Sequence, residues 1–361
     1  MTIIQAKWEP PMLSRHADSA FWIGRYVERA EATARMIDVH YHFGLESPLV
    51  GNALRWSSIL AISDEEESFA KYYAEQDERS ILQFFAFDER NPSSIASCLK
   101  GARENARSIR DQISSEMWES LNRYYLDFRT WDVERVLSGS PFAFFGKVKD
   151  GSHLFQGIAN RTLMMGETRD FHDAGRFLER ADQTARILDV KYHDLLPRFD
   201  PETRSASAIQ VQERGAMTQS MDGVTQMIRT VPDPDSVGGP VDTHGWIAVL
   251  KSVGAFEAFR KTFRQGVTPA RVAQFLILNP QFPASVRHSI GRVEGCLRRV
   301  SGNRDLAPVN AAERDVGRLY NELNYLRAED IIADGLHEFL EDVEDRCEMI
   351  GDSIYKTYLS Y

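Results

Sequence analysis

A nineteen-residue segment occurs twice in this chain, and no other feature constrains the fold as much. The first copy, Gly24 to His42, reads GRYVERAEATARMIDVHYH; the second, Gly175 to His193, reads GRFLERADQTARILDVKYH. The offset is 151 residues and 12 of the 19 positions are identical, so the chain is an internal duplication. Neither copy contains a proline or an internal glycine, and Ala30, Ala34, Ala181 and Ala185 are strong helix formers. Each copy is therefore a helix.

At roughly 100° per residue, Ile23, Tyr26, Ala30, Ala34, Ile37 and Tyr41 share one face. Glu28, Glu31, Arg35, Asp38 and His42 fall on nearly the opposite face. Their counterparts in the second copy are Glu179, Asp182, Arg186, Asp189 and His193. Neighbours along this stripe are within side-chain reach. The stripe is either a solvated helix face, where Glu31 with Arg35 contributes ~0.2–0.5 kcal/mol, or a buried charge network. Arg25/Arg176, Glu28/Glu179, Arg29/Arg180 and Arg35/Arg186 keep the same residue in both copies. Fixed bidentate pairing demands such identity and a solvated face does not. Arg25 and the two stripes are the first candidates for binding or for a charge network.

The repeat extends beyond these helices. Trp56 corresponds to Trp246, and FFAFDERNPSSIASCL from Phe84 corresponds to FLILNPQFPASVRHSI from Phe275. The offset grows from 151 to 190 and 191, so the second half carries an inserted loop at 199–242, rich in proline and glycine. It reads as a partner-contacting loop or as a passive excursion. Helices are expected over 56–74, 80–87, 95–113, 115–136 and 142–165. No strand alternation, Rossmann fingerprint or P-loop appears. The fold class is all-α: two tandem, similar antiparallel helical bundles, 12–165 and 166–361, related by a pseudo-two-fold axis.

The 361 residues carry a net charge of −10, which argues against nucleic acid as the main partner. The three cysteines, Cys98, Cys296 and Cys347, form no CxxC and fit a reduced, cytoplasmic setting. The N-terminal residues show no signal-peptide core, and no aliphatic stretch is long enough to span a membrane.

Three stretches carry a resemblance: MLSRHADSAFWIGRYVERAEATAR from Met12, the residues Ala102 to Asn122, and LNPQFPASVR from Leu278. With the repeated helix they resemble the Alpha-E family, a bacterial all-helical family catalogued as a domain of unknown function. Ala284 departs from the family's P-R-S pattern, which has arginine there. The resemblance implies a genomic partner, a circularly permuted ATP-grasp ligase, with a transglutaminase-like cysteine peptidase often nearby. It thus implies ATP-driven formation or modification of peptide bonds, with a peptide substrate.

Four carboxylates, Glu28, Glu31, Glu179 and Asp182, would converge if the two copies packed together. Di-metal bundles add an E-x-x-H pair; the spacing here is E-x-x-E and E-x-x-D, so an arginine–glutamate network joining the halves is the stronger reading. No metal or cofactor is expected. On the segment 102–122, Glu104 and Arg107 are further candidates. Gly295 replaces Glu104 in the second half, marking the first half as the functional one unless this is plain surface charge. Three readings stand: an accessory or co-catalytic partner of an ATP-grasp peptide ligase, as the resemblance implies; a stand-alone enzyme using the carboxylates in amide-bond hydrolysis or transfer; or a purely structural duplicated bundle that forms oligomers.

Overall fold

The computed structural model describes residues 14–46, 56, 59–60, 63, 65–195, 240–305 and 307–360. Their regular elements are all helices, with no strand among the described residues. The 199–239 part of the inserted loop lies outside the described residues, as do the side chains of His42 and His193.

In chain order the helices are α1 (Ser14–Glu46), α2 (Glu66–Ala70), α3 (Glu78–Leu82), α4 (Ile95–Ser108), α5 (Ser115–Phe128), α6 (Val133–Ser138) and α7 (Pro141–Thr162). The second half follows with α8 (Glu167–Leu195), α9 (Pro240–Ser252), α10 (Phe256–Thr262), α11 (Pro269–Leu278) and α12 (Val286–Ser301). It closes with α13 (Ala311–Tyr325), α14 (Ala328–Asp334) and α15 (Leu336–Ile354). Two π-turns, Gln83–Phe87 and Tyr355–Leu359, extend α3 and α15.

The helix starts follow from side-chain capping. Ser94 and Ser285, equivalent in the repeat, cap α4 and α12 by accepting from the backbone N–H of Ser97 and His288. Two long helices read from the sequence are shorter than expected. The 95–113 helix ends early, at Ser108, while the next starts where expected, with Ser114 accepting from Met117 N–H. The 115–136 stretch is interrupted after Phe128, and Asp132 caps α6 through Arg135 N–H. There a local cap competes with helix continuation and wins.

The duplicated helices α1 and α8 form the most extensive helix–helix contact in the molecule. Helix α1 packs with α4 and α7, and these close through α5; α8 packs with α12 and α15, and these close through α13. Helix α9 touches both α1 and α8. One continuous cluster of buried apolar side chains runs through both halves, and the repeat-equivalent pairs Trp56/Trp246 and Phe84/Phe275 are all buried in it.

The α1–α8 approach is set by two glycines. A Cβ built on Gly24 would lie 2.1 Å from the His172 carbonyl oxygen, and one on Gly175 would lie 2.1 Å from the Phe21 carbonyl oxygen. The contact is reciprocal, since 24 and 175, and 21 and 172, are separated by the repeat offset of 151. Only glycine allows backbones this close.

Candidate functional site

The predicted apolar face of α1 is buried, with Ile23, Ala30, Ala34 and Ile37 at or near zero exposure. The charged stripe is buried as well: Glu28, Asp38, Glu179, Asp182 and Asp189 all lie inside. It is not a solvated helix face. Close approach of the glycines lets Glu28 and Glu179 pair across the two copies, and the remaining carboxylates are met within their own helix or by α7 and α15.

Arg29 donates from Nε and Nη2 to the two carboxylate oxygens of Glu179, at 2.6 and 2.9 Å, and Arg25 Nε adds a third bond at 2.7 Å. Reciprocally, Arg180 donates from Nε and Nη2 to Glu28 at 2.5 and 2.7 Å. Glu179 is 0% exposed. Burial alone would raise its pKa, but the Arg29 and Arg25 guanidiniums outweigh it and bring the group down to about 2. Burial of a carboxylate is tolerable only with such partners.

Further along, each copy repeats one pattern and then departs from it. Glu31 accepts from Arg35 at 2.8 Å and Asp182 from Arg186 at 3.2 Å, both one helical turn away. The neighbouring helix then supplies opposite charge types. Beside the first copy, α7 places Lys149 on Asp38 at 2.6 Å and His153 Nε2 at 2.9 Å from Glu31. Burial would raise Glu31, yet the hydrogen bond to His153 and the Arg35 charge hold it at about 2. Beside the second copy, α15 places His337 on Asp189 at 2.8 Å, but also Glu344 on Arg186 at 3.3 Å and Glu341 near His337. Burial, with Asp182 and Asp189 nearby, pushes Glu344 up to about 8 against the pull of Arg186. The two equivalent stripes thus have different electrostatics.

A second asymmetry concerns Arg25 and Arg176. Arg25 joins Arg29 on Glu179, but Glu28 is held by Arg180 alone. Arg176 instead donates from Nη1 to the Gln156 side-chain oxygen at 2.9 Å, and its nearest carboxylate, Asp173, is 3.6 Å away. Asp173 is shared with His172, Arg169 and Arg292, at 3.3, 3.9 and 3.9 Å. Burial, partly offset by Asp173, lowers the Arg176 pKa.

A cavity of about 500 Å³ opens on this side of the α1–α8 seam. Glu28, Glu31 and Arg35 of α1 line it with Arg176 and Arg180 of α8, while His153 and Gln156 come from α7. The outer wall is the 252–254 turn after α9 and the 282–284 turn before α12, which includes Ala284. Gly254, at φ 65°, brings its turn within 3.4 Å of the Arg35 guanidinium, measured from where a Cβ would sit. Thr184 Oγ1 donates to the Ala284 carbonyl at 2.9 Å, fixing the second turn. The volume lies in the range of small-molecule sites.

Of the candidates read from sequence, Glu28, Glu31 and Arg35 line this cavity, and Glu179 and Asp182 do not. The four carboxylates do not share one pocket; each is engaged by arginine. Arg25, Asp38, Arg186 and Asp189 belong to the flanking charge network. Glu104 pairs with Arg103 and Arg107 at 2.8 and 2.9 Å on the exposed side of α4, so Glu104 and Arg107 are surface charge. His153 and Gln156 escaped the sequence reading because α7 carries no repeat signature. Arg176, although repeated, was indistinguishable in sequence from its paired equivalent Arg25. All three cysteines are buried thiols; burial pushes Cys98 and Cys296 up to about 12, which suits packing rather than nucleophilic attack. Among the described residues no group of three His, Cys, Asp or Glu side chains is placed to hold a metal ion.

The model of a family described as Alpha-E, "a predicted alpha-helical domain with a conserved ER motif", matches residues 12–359. The chain belongs to the Alpha-E family. Glu28-Arg29 and Glu179-Arg180 are Glu-Arg pairs at equivalent places in the two copies, and in this Alpha-E chain the glutamate of each pair forms an ion pair with the arginine of the other. No curated protein and no solved structure matches the chain. Among the described residues, no helix is long and apolar enough to cross a membrane.

Proposed function

We propose that this chain is an accessory or co-catalytic partner of a bacterial ATP-grasp peptide ligase, acting in the cytoplasm in ATP-dependent peptide-bond formation or peptide modification. The ligase, and the transglutaminase-like peptidase as a further neighbour, come from the family resemblance. The role of this chain comes from its geometry. The observation that carries it is that every described carboxylate of the duplicated stripe is engaged by a cation, beside a cavity large enough for a ligand. A carboxylate acting as general base must exchange a proton near neutral pH. Glu31 and Glu179, held at about 2, do not. At the cavity the stand-alone enzyme reading thus loses Glu31 as a base, and Glu344, raised to about 8, sits beside Arg186 and not in the cavity lining, whereas a surface that holds a peptide or docks a ligase needs no acid–base pair.

The test is co-expression with the neighbouring ATP-grasp protein, then size-exclusion chromatography and an ATP-consumption assay. A stable complex whose ATP turnover requires this chain is the expected result. A ligase that does not associate and is fully active alone overturns the proposal.

A further inference from the structure

The cavity at the α1–α8 seam has a charge imbalance that its own residues do not resolve. Three arginines, Arg35, Arg176 and Arg180, face two glutamates, Glu28 and Glu31. Arg180 is matched to Glu28 and Arg35 to Glu31, which leaves Arg176. Its equivalent, Arg25, has a carboxylate at 2.7 Å; Arg176 has only Asp173 at 3.6 Å, already shared with Arg169, Arg292 and the His172 ring. Arg176 is about nine-tenths buried, and its Nε has no acceptor. The Nε2 of Gln156, on the same cavity wall and also buried, has none either. Buried donors are nearly always satisfied, and an unsatisfied one costs ~1–3 kcal/mol. Two residues that line one ligand-sized cavity thus each carry an unmatched donor, and with the surplus cation they point to an occupant that brings acceptor oxygens and negative charge.

We propose that this cavity binds a carboxylate-bearing ligand, such as a peptide or amino acid with a free carboxyl group, whose oxygens complete Arg176 and Gln156. Only one permanent positive charge is unbalanced, and the Glu28 and Glu31 carboxylates flank it. That matches a monoanion better than a phosphate dianion, which carries a charge nearer −2. Guanidinium and carboxylate also pair in plane through two bonds. The remaining wall is mixed, with Val253 and Phe282 beside Gln183 and Thr184, as a chain of amides with small side chains requires. This inference rests on the reading of the cavity as a ligand-holding surface and not on the identity of the ligase.

The experiment is calorimetric titration of the intact chain with three probes: N-capped trialanine with a free carboxylate, the same peptide amidated, and inorganic phosphate. The free-carboxylate peptide is expected to bind saturably, with the amidated peptide at least about tenfold weaker, the loss of one charge-assisted pairing. Arg176→Gln is expected to abolish that preference, and Arg176→Lys to retain part of it. Equal binding of both peptides, no binding of either at millimolar concentration, or phosphate binding as tightly as the carboxylate each overturns the proposal. The peptide comparison uses the unaltered protein, so it stands even if a variant fails to fold. Absence of binding alongside ligase stimulation would overturn this inference alone and leave the partner role in place.

Discussion

Arg180 holds Glu28 across the helix seam with two parallel hydrogen bonds, 2.5 and 2.7 Å long, while Arg29, its equivalent, holds Glu179. Each duplicated helix therefore neutralises the other. Removing one member leaves a buried charge without its partner, and breaking such a pair costs about 3–5 kcal/mol. Glu179→Gln strands both Arg25 and Arg29 and is expected to destabilise by that amount. Glu28→Gln strands only Arg180, and the expected loss is at the low end of that range, about 3 kcal/mol. Urea unfolding of both variants checks the order; equal stability to the parent chain would show that the pairs contribute nothing.

Gly24→Ala and Gly175→Ala test the close approach directly. The added Cβ would meet a backbone carbonyl oxygen at 2.1 Å in each case, and backbone cannot swing aside as a side chain can. Elsewhere on a helix this change would stabilise by up to ~1 kcal/mol. Here overpacking reverses the sign, with an expected loss of about 3 kcal/mol. A raised melting temperature in either variant would mean that the helices are not in contact at these glycines.

The pH dependence of stability should have two distinct edges. Glu31 and Glu179 have folded values of about 2, below the ordinary 4.5. A depressed acid contributes stability that is present above about 4.5 and is lost as pH falls toward 2. Glu344 behaves in the opposite sense, with a folded value of about 8. Its contribution is fully present below about 4.5 and disappears as pH rises through 8. Glu344→Gln is expected to leave stability unchanged below pH 4.5 and to raise it relative to the parent above pH 8. Melting curves at pH 4, 6 and 9 measure this. A constant offset at all three values would contradict the assignment.

The helical class, the duplication and the stripe itself were all readable in the sequence, because helix periodicity and repeat identity are local signals. Whether the stripe faces water was not, since a helix buried on both faces has no polar side to betray it. Residue identity across the copies was the better guide: Arg29 and Arg180 are kept because each must fit the other's glutamate. The cationic character of the first copy and the acidic character of the second come from Lys149, His153 and Glu344, on helices more than one hundred residues from their stripe partners Asp38, Glu31 and Arg186. Only the fold brings them together. Glu104 and Arg107 form a local ion pair on the exposed side of α4, away from the cavity, and a dense run of charge on a helix looks alike in sequence whether it binds a ligand or meets solvent.

The measurement that bears most directly on the cross-paired seam is a double-mutant cycle on Arg29 and Glu179. Arg29→Met, Glu179→Leu and the double variant would be unfolded in urea beside the parent chain. The double variant is predicted to be more stable than Glu179→Leu, with a coupling of at least about 2 kcal/mol, because Glu179→Leu strands both Arg25 and Arg29 and the double variant strands Arg25 alone. Additive losses, with coupling near zero, would show that the two duplicated helices do not hold each other through these residues.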